Sequence, residues 1–391
     1  MNAEFRVLYA EAGAAYENGL YREAADRYER ACLMAQARAC SDLAFASATA
    51  AAGSWHLAGQ PLRGLSLVLE ALANVPANVP PRDIWMARLR SLELMRCFQP
   101  DLALLESSLS HLQALAREHN MKVTADLLRL DALLCRARGQ HAEALARFER
   151  AWNHVGTFSL HPYLIAYGAI FSALALGDYP AVQSWSAELQ QLGSQSLEAQ
   201  AAWLEGQARV LLSENQARLA LSMVHELESL VGRTQQSIWQ RRTIMLGTRA
   251  ELLHPHDVDP AAPTHPAWRY LSHSVDGTPE VFDAYDHALL LVDVRLASIR
   301  FVLGVPAIDD LYYRQPHHAA AAGGPGTRPA EELEKCLDVF RVAVESAKLI
   351  GKQLDSAFHC GWREAEVKER IRRAAEIEDW YCGTTQRGEQ D

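Results

Sequence analysis

The chain has 391 residues, of which 49% are hydrophobic and 22% charged, and its formal net charge is −10 at pH 7. This composition excludes a wholly disordered protein, and the acidic balance argues against a general nucleic-acid binder, which needs a basic face. The length suits two or three compact domains or one elongated repeat array.

Cysteine usage and the N-terminal sequence indicate a soluble protein of a reducing compartment. The seven cysteines are scattered, odd in number and without a CxxC pair, which disfavours a disulfide framework or a zinc knuckle. The N-terminus carries Glu4 and Glu11 where a signal peptide needs an apolar run. The uncharged stretch 158–177 contains Pro162, and the helix that remains is shorter than the ~20 residues that cross a bilayer. We therefore predict a cytoplasmic location, with the nucleus left open.

A repeated turn organises the first part of the chain. The segment GQHAEALARFERA, Gly139 to Ala151, has weaker copies, and the turn recurs at spacings of 40, 40, 40, 38 and 38 residues. Glycine or asparagine occupies this position in five of six units, as a left-handed residue that closes a helix prefers. The turn residues are Gly19, Gly59, Gln99, Gly139, Gly177 and Asn215.

Apolar residues recur at fixed offsets from this turn, on both sides of it and at helical spacing. Small residues predominate in two of these columns, and they let paired helices approach closely. Each hairpin carries an apolar stripe that it cannot bury alone, so the units are expected to stack. The columns seven residues before and five after the turn are Ala12, Ala52, Leu92, Ala132, Ile170 and Ala208, and Ala24, Gly64, Leu104, Ala144, Val182 and Ala220.

The order of small residue, turn glycine, aromatic, then Ala, aromatic and Ala resembles the tetratricopeptide repeat. The segments Gly19 to Ala31 and Gly139 to Ala151 match its second helix well. The period exceeds the ~34 residues of the common repeat, which implies longer helices. Long-helix variants of this kind resemble those in bacterial regulators of the maltose-activator type and in scaffold subunits of large assemblies. HEAT or armadillo stacking has a similar period, but the glycine turn disfavours it. The resemblance implies an all-α, right-handed superhelix of six to seven hairpins over residues 1–253.

Beyond residue 253 the repeat pattern stops. Four prolines between His254 and Pro266 forbid a continuous helix, so residues 254–279 are predicted to be a linker or loop. Residues 280–381 are predicted to form a C-terminal helical segment with a flexible loop at 305–328, and residues 382–391 a disordered tail. Within this segment, one helix is expected from Pro279 to Gly304, and another after Pro329. A charged helix is expected from about Arg363 to Tyr381. The helix after Pro329 carries the apolar residues Leu333, Leu337, Phe340, Val344 and Leu349.

The residues offer no catalytic or metal-binding motif above background. His254, His256, Asp257 and Asp259 are of metal-ligand type, but their spacing fits no ligand motif and prolines separate them, which favours a solvated loop. The sequence contains no Walker-type loop and no GxSxG segment. We therefore predict a non-enzymatic protein without a cofactor or a bound metal.

The last helix is rich in both signs of charge. Its basic side chains could bind an acidic partner or nucleic acid, but four-residue spacing to carboxylates favours a solvated, salt-bridged face. The pairs expected are Glu364–Lys368, Glu366–Arg370 and Glu369–Arg373.

The resemblance also implies a partner-binding groove, lined by defined positions of each first helix. Arginines beside aromatic rings would suit an acidic or C-terminal carboxylate peptide, because guanidinium groups pair with carboxylates through two hydrogen bonds. The alternative is that these arginines only pair with neighbouring carboxylates or pack on the next repeat. The implied groove residues are Arg6, Tyr9, Tyr16, His56, Glu93, Arg96, Arg129, Arg136, Tyr167, Phe171, Glu205 and Arg209.

Together these features predict a non-catalytic scaffold, adaptor or subunit of a larger complex, with a protein or peptide partner and no membrane binding. The alternative is a peptide- or ligand-sensing module of the maltose-activator type that acts on an effector. A third reading is a helical-repeat enzyme or nuclease partner whose residues the sequence does not reveal; an enzyme is expected to show convergent polar side chains with shifted pKa values. A sensor is expected to enclose a ligand-sized pocket in the groove, whereas a scaffold is expected to present an open groove or an exposed apolar patch.

Overall fold

A computed structural model describes residues 3–98, 101–119, 125–155, 162–194, 196–232, 237–254, 264–271, 281–302, 330–358 and 360–388. Every regular element among these residues is a helix, which confirms the predicted all-α class. The helices are α1 (Ala3–Glu17), α2 (Tyr21–Ala37), α3 (Ser41–Leu57), α4 (Pro61–Ala73), α5 (Pro81–Phe98), α6 (Leu102–Glu118), α7 (Ala125–Ala137), α8 (His141–Trp152), α9 (Tyr163–Leu176), α10 (Tyr179–Gly193), α11 (Leu197–Ser213), α12 (Ala217–Val231), α13 (Ser237–Leu253), α14 (Ala267–Leu271), α15 (Val281–Val302), α16 (Ala330–Ala357) and α17 (Trp362–Gly388).

The chain divides into two compact units. Unit 1 comprises Met1–Gly206, Glu226–Arg241 and Val275–Val281, and unit 2 comprises Gln207–His225, Arg242–Ser274 and Phe282–Asp391. The predicted boundary after residue 253 stays a prediction, because much of the proline-rich segment lies outside the described residues. The predicted loop at 305–328 lies wholly outside them.

Unit 1 is built from successive helical hairpins. The helices within a hairpin pack together, as α1 does with α2, α3 with α4, α7 with α8 and α9 with α10. Neighbouring hairpins are joined by contacts of α2 with α3, α4 with α5 and α8 with α9. First helices of consecutive hairpins also meet, α3 with α5 and α7 with α9. Packing therefore follows chain order, as expected of repeat units that bury their apolar stripes against their neighbours.

The predicted turn residues adopt the left-handed conformation. Gly19, Gly59, Gly139, Gly177 and Asn215 have φ between 57° and 79°, whereas Gln99 lies outside the described residues. At each turn the amide that follows donates back to the carbonyl five residues earlier, the hydrogen bond that closes a Schellman motif. One further left-handed turn was not predicted from the sequence. It lies between α2 and α3, where Ala39 has a φ of 53°.

The small-residue columns bring paired helices close together. Ala24, Ala144 and Ala220 are fully buried five residues after their turns, and Ala12 and Ala132 are fully buried seven residues before theirs. Between α3 and α4 the backbones come close at Gly64, where an added Cβ would lie 2.6 Å from the carbonyl oxygen of Ala52. No side chain fits there without moving the backbone of α3.

The helices expected in the C-terminal segment are present in unit 2. In α15, Leu289, Val292, Leu296 and Ile299 are buried, whereas in α16 Leu349 is 62% exposed. Five residues separate it from the buried Val344, which places it about 140° farther round the helix. The last helix, α17, continues to Gly388 and so ends later than the predicted Tyr381.

Among the described residues, no helix combines the length and the apolar character needed to cross a bilayer.

Candidate functional site

The predicted groove residues all lie on the first helices of their hairpins, α1, α3, α5, α7, α9 and α11. Arg6 is exposed, whereas Arg129, Tyr167 and Glu205 are buried. Arg209 falls in unit 2 and is therefore described apart from the others. The half-buried members are Tyr9, Tyr16, His56, Glu93, Arg96, Arg136, Phe171 and Arg209.

Several polar side chains of unit 1 converge in what we call the polar cluster. They come from α1, α2, α5, α7 and α11, so helices far apart in the chain contribute to it. Although these groups are polar, Tyr21 is 1% and Arg129 5% exposed. The polar cluster consists of Tyr16, Tyr21, Arg90, Glu93, Asp126, Arg129 and Glu198.

Arg129 is the central cation of the polar cluster. Its Nη2 donates to Glu93, and its Nε lies 3.7 Å from Oδ1 of Asp126, an ion-pair distance. Burial by itself lowers the pKa of Arg129, but the two carboxylates raise it, and the net shift is upward. A guanidinium held between two carboxylates stays charged, and its loss would remove a countercharge from both.

Arg90 joins Glu93 to the polar cluster from the same helix. Its Nη1 donates to Oε2 of Glu93 at 2.8 Å, so Glu93 accepts hydrogen bonds from two guanidinium groups. Arg90 also crosses to α3, where a Cβ added at Gly53 would lie 3.1 Å from its Nε. Glycine on α3 thus makes room for the guanidinium, and a methyl group there would press on it.

Two tyrosines link the first hairpin to α11. The hydroxyl of Tyr21 donates to Oε1 of Glu198, and the Tyr21 ring meets that of Tyr16 edge-on at a centroid distance of 5.1 Å. Burial raises the pKa of the Tyr21 hydroxyl, and the Glu198 carboxylate raises it further. Burial also raises the pKa of Tyr16, which lies near Arg90 and Glu198. Both hydroxyls therefore remain protonated donors.

A second group of unit 1, the aromatic cluster, surrounds Tyr167. Its hydroxyl donates to Oε2 of the fully buried Glu205 at 2.5 Å, and its ring meets Phe171 and Trp239 edge-on at 4.7 and 5.9 Å. The guanidinium of Arg136 lies 5.5 Å from the Phe171 ring centroid, within cation–π range. The aromatic cluster consists of Arg136, Tyr167, Phe171, Glu205 and Trp239.

The structure thus brings together part of the predicted groove and adds residues that the sequence missed. For Arg129, the alternative of pairing with a neighbouring carboxylate is what the structure shows. Arg90 and Asp126 were missed, although each stands three residues before a predicted groove residue, a spacing that favours pairing on a helix. Tyr21 and Glu198 had no local signal, because 177 residues separate them.

Unit 2 contains buried ion pairs of its own. Arg370 on α17 donates through Nε and Nη2 to the two carboxylate oxygens of Asp293 on α15, at 2.6 and 3.2 Å. The predicted solvated role of Arg370 is therefore wrong, since it is 8% exposed. Arg363 pairs with Asp355 at 3.2 Å in a second buried contact. The three predicted four-residue pairs are also present: Glu364–Lys368 at 2.9 Å, Glu366–Arg370 at 3.6 Å and Glu369–Arg373 at 3.1 Å.

No group of three or more His, Cys, Asp or Glu residues suited to a metal ion occurs in the described part of the chain. Of the histidine-rich segment considered above, His256, Asp257 and Asp259 lie outside that part.

A cavity of about 290 Å³ opens between α2, α3 and α4. Its apolar wall includes Ala44, Phe45 and Ala48, and its polar rim includes Gln36 and Glu70. None of the predicted groove residues lines it. This cavity is therefore not the groove pocket that the sensor reading expects.

Comparison with models of known protein families gives no match to this chain. Comparison with curated proteins gives none either. Function is therefore inferred from the chain's own residues.

Proposed function

We propose that this chain is a non-catalytic, tetratricopeptide-like interaction protein, a scaffold, adaptor or subunit of a larger complex. In this proposal the hairpins of unit 1 stack into a right-handed superhelix and bind a segment of a partner protein. Support comes from packing in chain order, from the left-handed turns at the repeat spacing and from the small residues between paired helices. The cytoplasmic location stays a prediction.

One observation carries the proposal. The position three residues before the turn holds Tyr16, His56, Arg96 and Arg136 in four consecutive hairpins, each 40 residues after the last. All four side chains are half-buried, on α1, α3, α5 and α7. Equivalent positions of stacked repeats face the same way, so these side chains form a column of basic and aromatic groups. We call them the ladder residues.

The chemistry of the ladder residues suits a partner segment that carries carboxylates. Arg96 and Arg136 can each bind a carboxylate through two hydrogen bonds, and the rings add contact area at low entropic cost. The polar cluster cannot serve in the same way, because its two guanidinium groups, Arg90 and Arg129, already pair with two carboxylates of the chain itself, Glu93 and Asp126. An acidic segment is therefore expected along the ladder residues.

The test is capture of partners from the protein's own cells with the tagged chain, followed by quantitative mass spectrometry. A double variant, Arg96→Glu with Arg136→Glu, should reduce recovery of a stoichiometric partner at least tenfold while the helical circular dichroism stays unchanged. The matched control is Arg150→Glu, an exposed arginine on α8, the second helix of the Arg136 hairpin. Equal loss with the control, or no loss with the double variant, would contradict the ladder assignment.

The alternative is a sensor that closes on a peptide or small ligand and acts on an effector chain. The observation that favours it is the hydrogen bond between Tyr21 and Glu198, which joins the first hairpin to α11. Mass spectrometry of the purified protein under native conditions distinguishes the two. A bound small molecule would support the sensor, and a stoichiometric protein partner the scaffold.

A further inference from the structure

We infer that the hydrogen bond between Tyr21 and Glu198 is a clasp that closes unit 1 over the polar cluster. The clasp must open before a partner segment can occupy the ladder residues, the first of which, Tyr16, lies edge-on to Tyr21. The binding step of this inference rests on the proposed function, whereas the opening step does not.

The clasp joins two distant parts of unit 1. Tyr21 is the first residue of α2, at the first repeat turn, and Glu198 lies at the start of α11, 177 residues later. The extensive helix contacts of unit 1 join neighbours in the chain, whereas this hydrogen bond links the beginning of the array to its sixth first-helix. A contact of this kind fixes the separation of the two ends, because every intervening hairpin must curve to allow it.

The burial of the polar cluster indicates what the clasp closes. An open groove leaves its polar lining in water, where a partner can reach it. In unit 1 the polar side chains are instead shielded from water: Asp126 is 3% exposed, and the side chains of Glu93 and Arg90 are 13% and 17% exposed. Tyr16 lies between the two sides, edge-on to Tyr21 and near the charge of Glu198. Closure at Tyr21 and Glu198 therefore covers charged side chains of α5 and α7.

Opening and binding are then linked. If only a fraction of molecules is open, the apparent dissociation constant is the intrinsic one divided by that fraction. A hydrogen bond to a charged acceptor stabilises the closed form enough that its loss should raise the open fraction roughly tenfold. Loosening the clasp should therefore strengthen partner binding by up to that factor, the opposite of what loss of a binding contact does.

The first measurement is hydrogen exchange of the full chain, read by mass spectrometry. Tyr21→Phe keeps the ring and removes the hydroxyl, and it should speed exchange by about tenfold in two segments, 16–25 and 196–206. The matched control is Tyr179→Phe, which changes the tyrosine two residues after the Gly177 turn, as Tyr21 follows Gly19. Tyr179 is 41% exposed, and its hydroxyl is not expected to protect either segment.

The second measurement uses the partner segment identified by capture, titrated by fluorescence anisotropy. Tyr21→Phe and Glu198→Ala should each tighten binding, and their combination should add little to either alone. Faster exchange in both segments with tighter binding supports the clasp. Exchange unchanged near residue 198 would overturn it whether or not a partner exists, and faster exchange with unchanged affinity would show a purely structural contact.

Discussion

Replacing Arg129 by Met tests whether the centre of the polar cluster stabilises unit 1. The side chain is 6% exposed, and those of Glu93 and Asp126 are 13% and 4% exposed. The variant therefore removes a shielded cation from both carboxylates, although Glu93 keeps its pair with Arg90. Breaking a buried pair from one side costs about 3–5 kcal/mol. For a unit of this size the lower figure lowers the melting temperature by about 6–12 °C.

Calorimetry is the suitable assay, because the chain has two compact units and their transitions need to be resolved. The matched control is Arg138→Met, just after the end of α7 in the same hairpin, whose side chain is 26% exposed and whose partner Glu106 is 50% exposed. A pair this accessible contributes at most about 1 kcal/mol. If Arg129→Met lowered the melting temperature no more than Arg138→Met, the buried network would not stabilise the fold as reasoned.

Two further predictions concern helix packing and pH. Gly64→Ala should destabilise unit 1 by about 1–3 kcal/mol, because its Cβ would lie 2.6 Å from the Ala52 oxygen. The control is Gly13→Ala, whose Cβ would lie at an ordinary contact distance of 3.5 Å from the Tyr28 hydroxyl and should stabilise α1 by up to about 1 kcal/mol. Equal melting temperatures for the two variants would contradict the predicted clash at Gly64. In unit 2, burial raises the pKa of Glu366 above its ordinary value of 4.5, so the stability that it contributes is lost as pH rises through the raised pKa. Glu366→Gln should flatten this part of the melting-temperature profile above pH 4.5, and a parallel profile would refute the assignment.

The arginines of the predicted groove show which features of the candidate site could be predicted from the sequence. The repeat register placed Arg96, Arg129 and Arg136 on first helices, and the structure has them there. Register does not reveal a side chain's partner, however. Arg129 lies between Glu93 and Asp126, whereas the guanidinium of Arg136 lies over Phe171. One residue type at related positions therefore has two different environments.

The sequence by itself determined the local features of this protein. A left-handed turn needs a residue that tolerates positive φ. The ends of four helices could therefore be predicted from their glycines, Gly19, Gly59, Gly139 and Gly177. Helical spacing of apolar residues then identifies the helices and their buried faces, since it depends only on neighbours along the chain. Ala39 escaped notice because alanine rarely adopts this conformation.

Only the tertiary structure decided which distant groups meet. The sequence gives no sign that Tyr21 and Glu198 meet, because 177 residues separate them and their contact depends on how the helices between them pack. The burial of Arg129 and of Arg370 likewise depends on helices contributed from elsewhere in the chain. Local conformation follows from local sequence, whereas burial and charge pairing arise only when those helices are packed together.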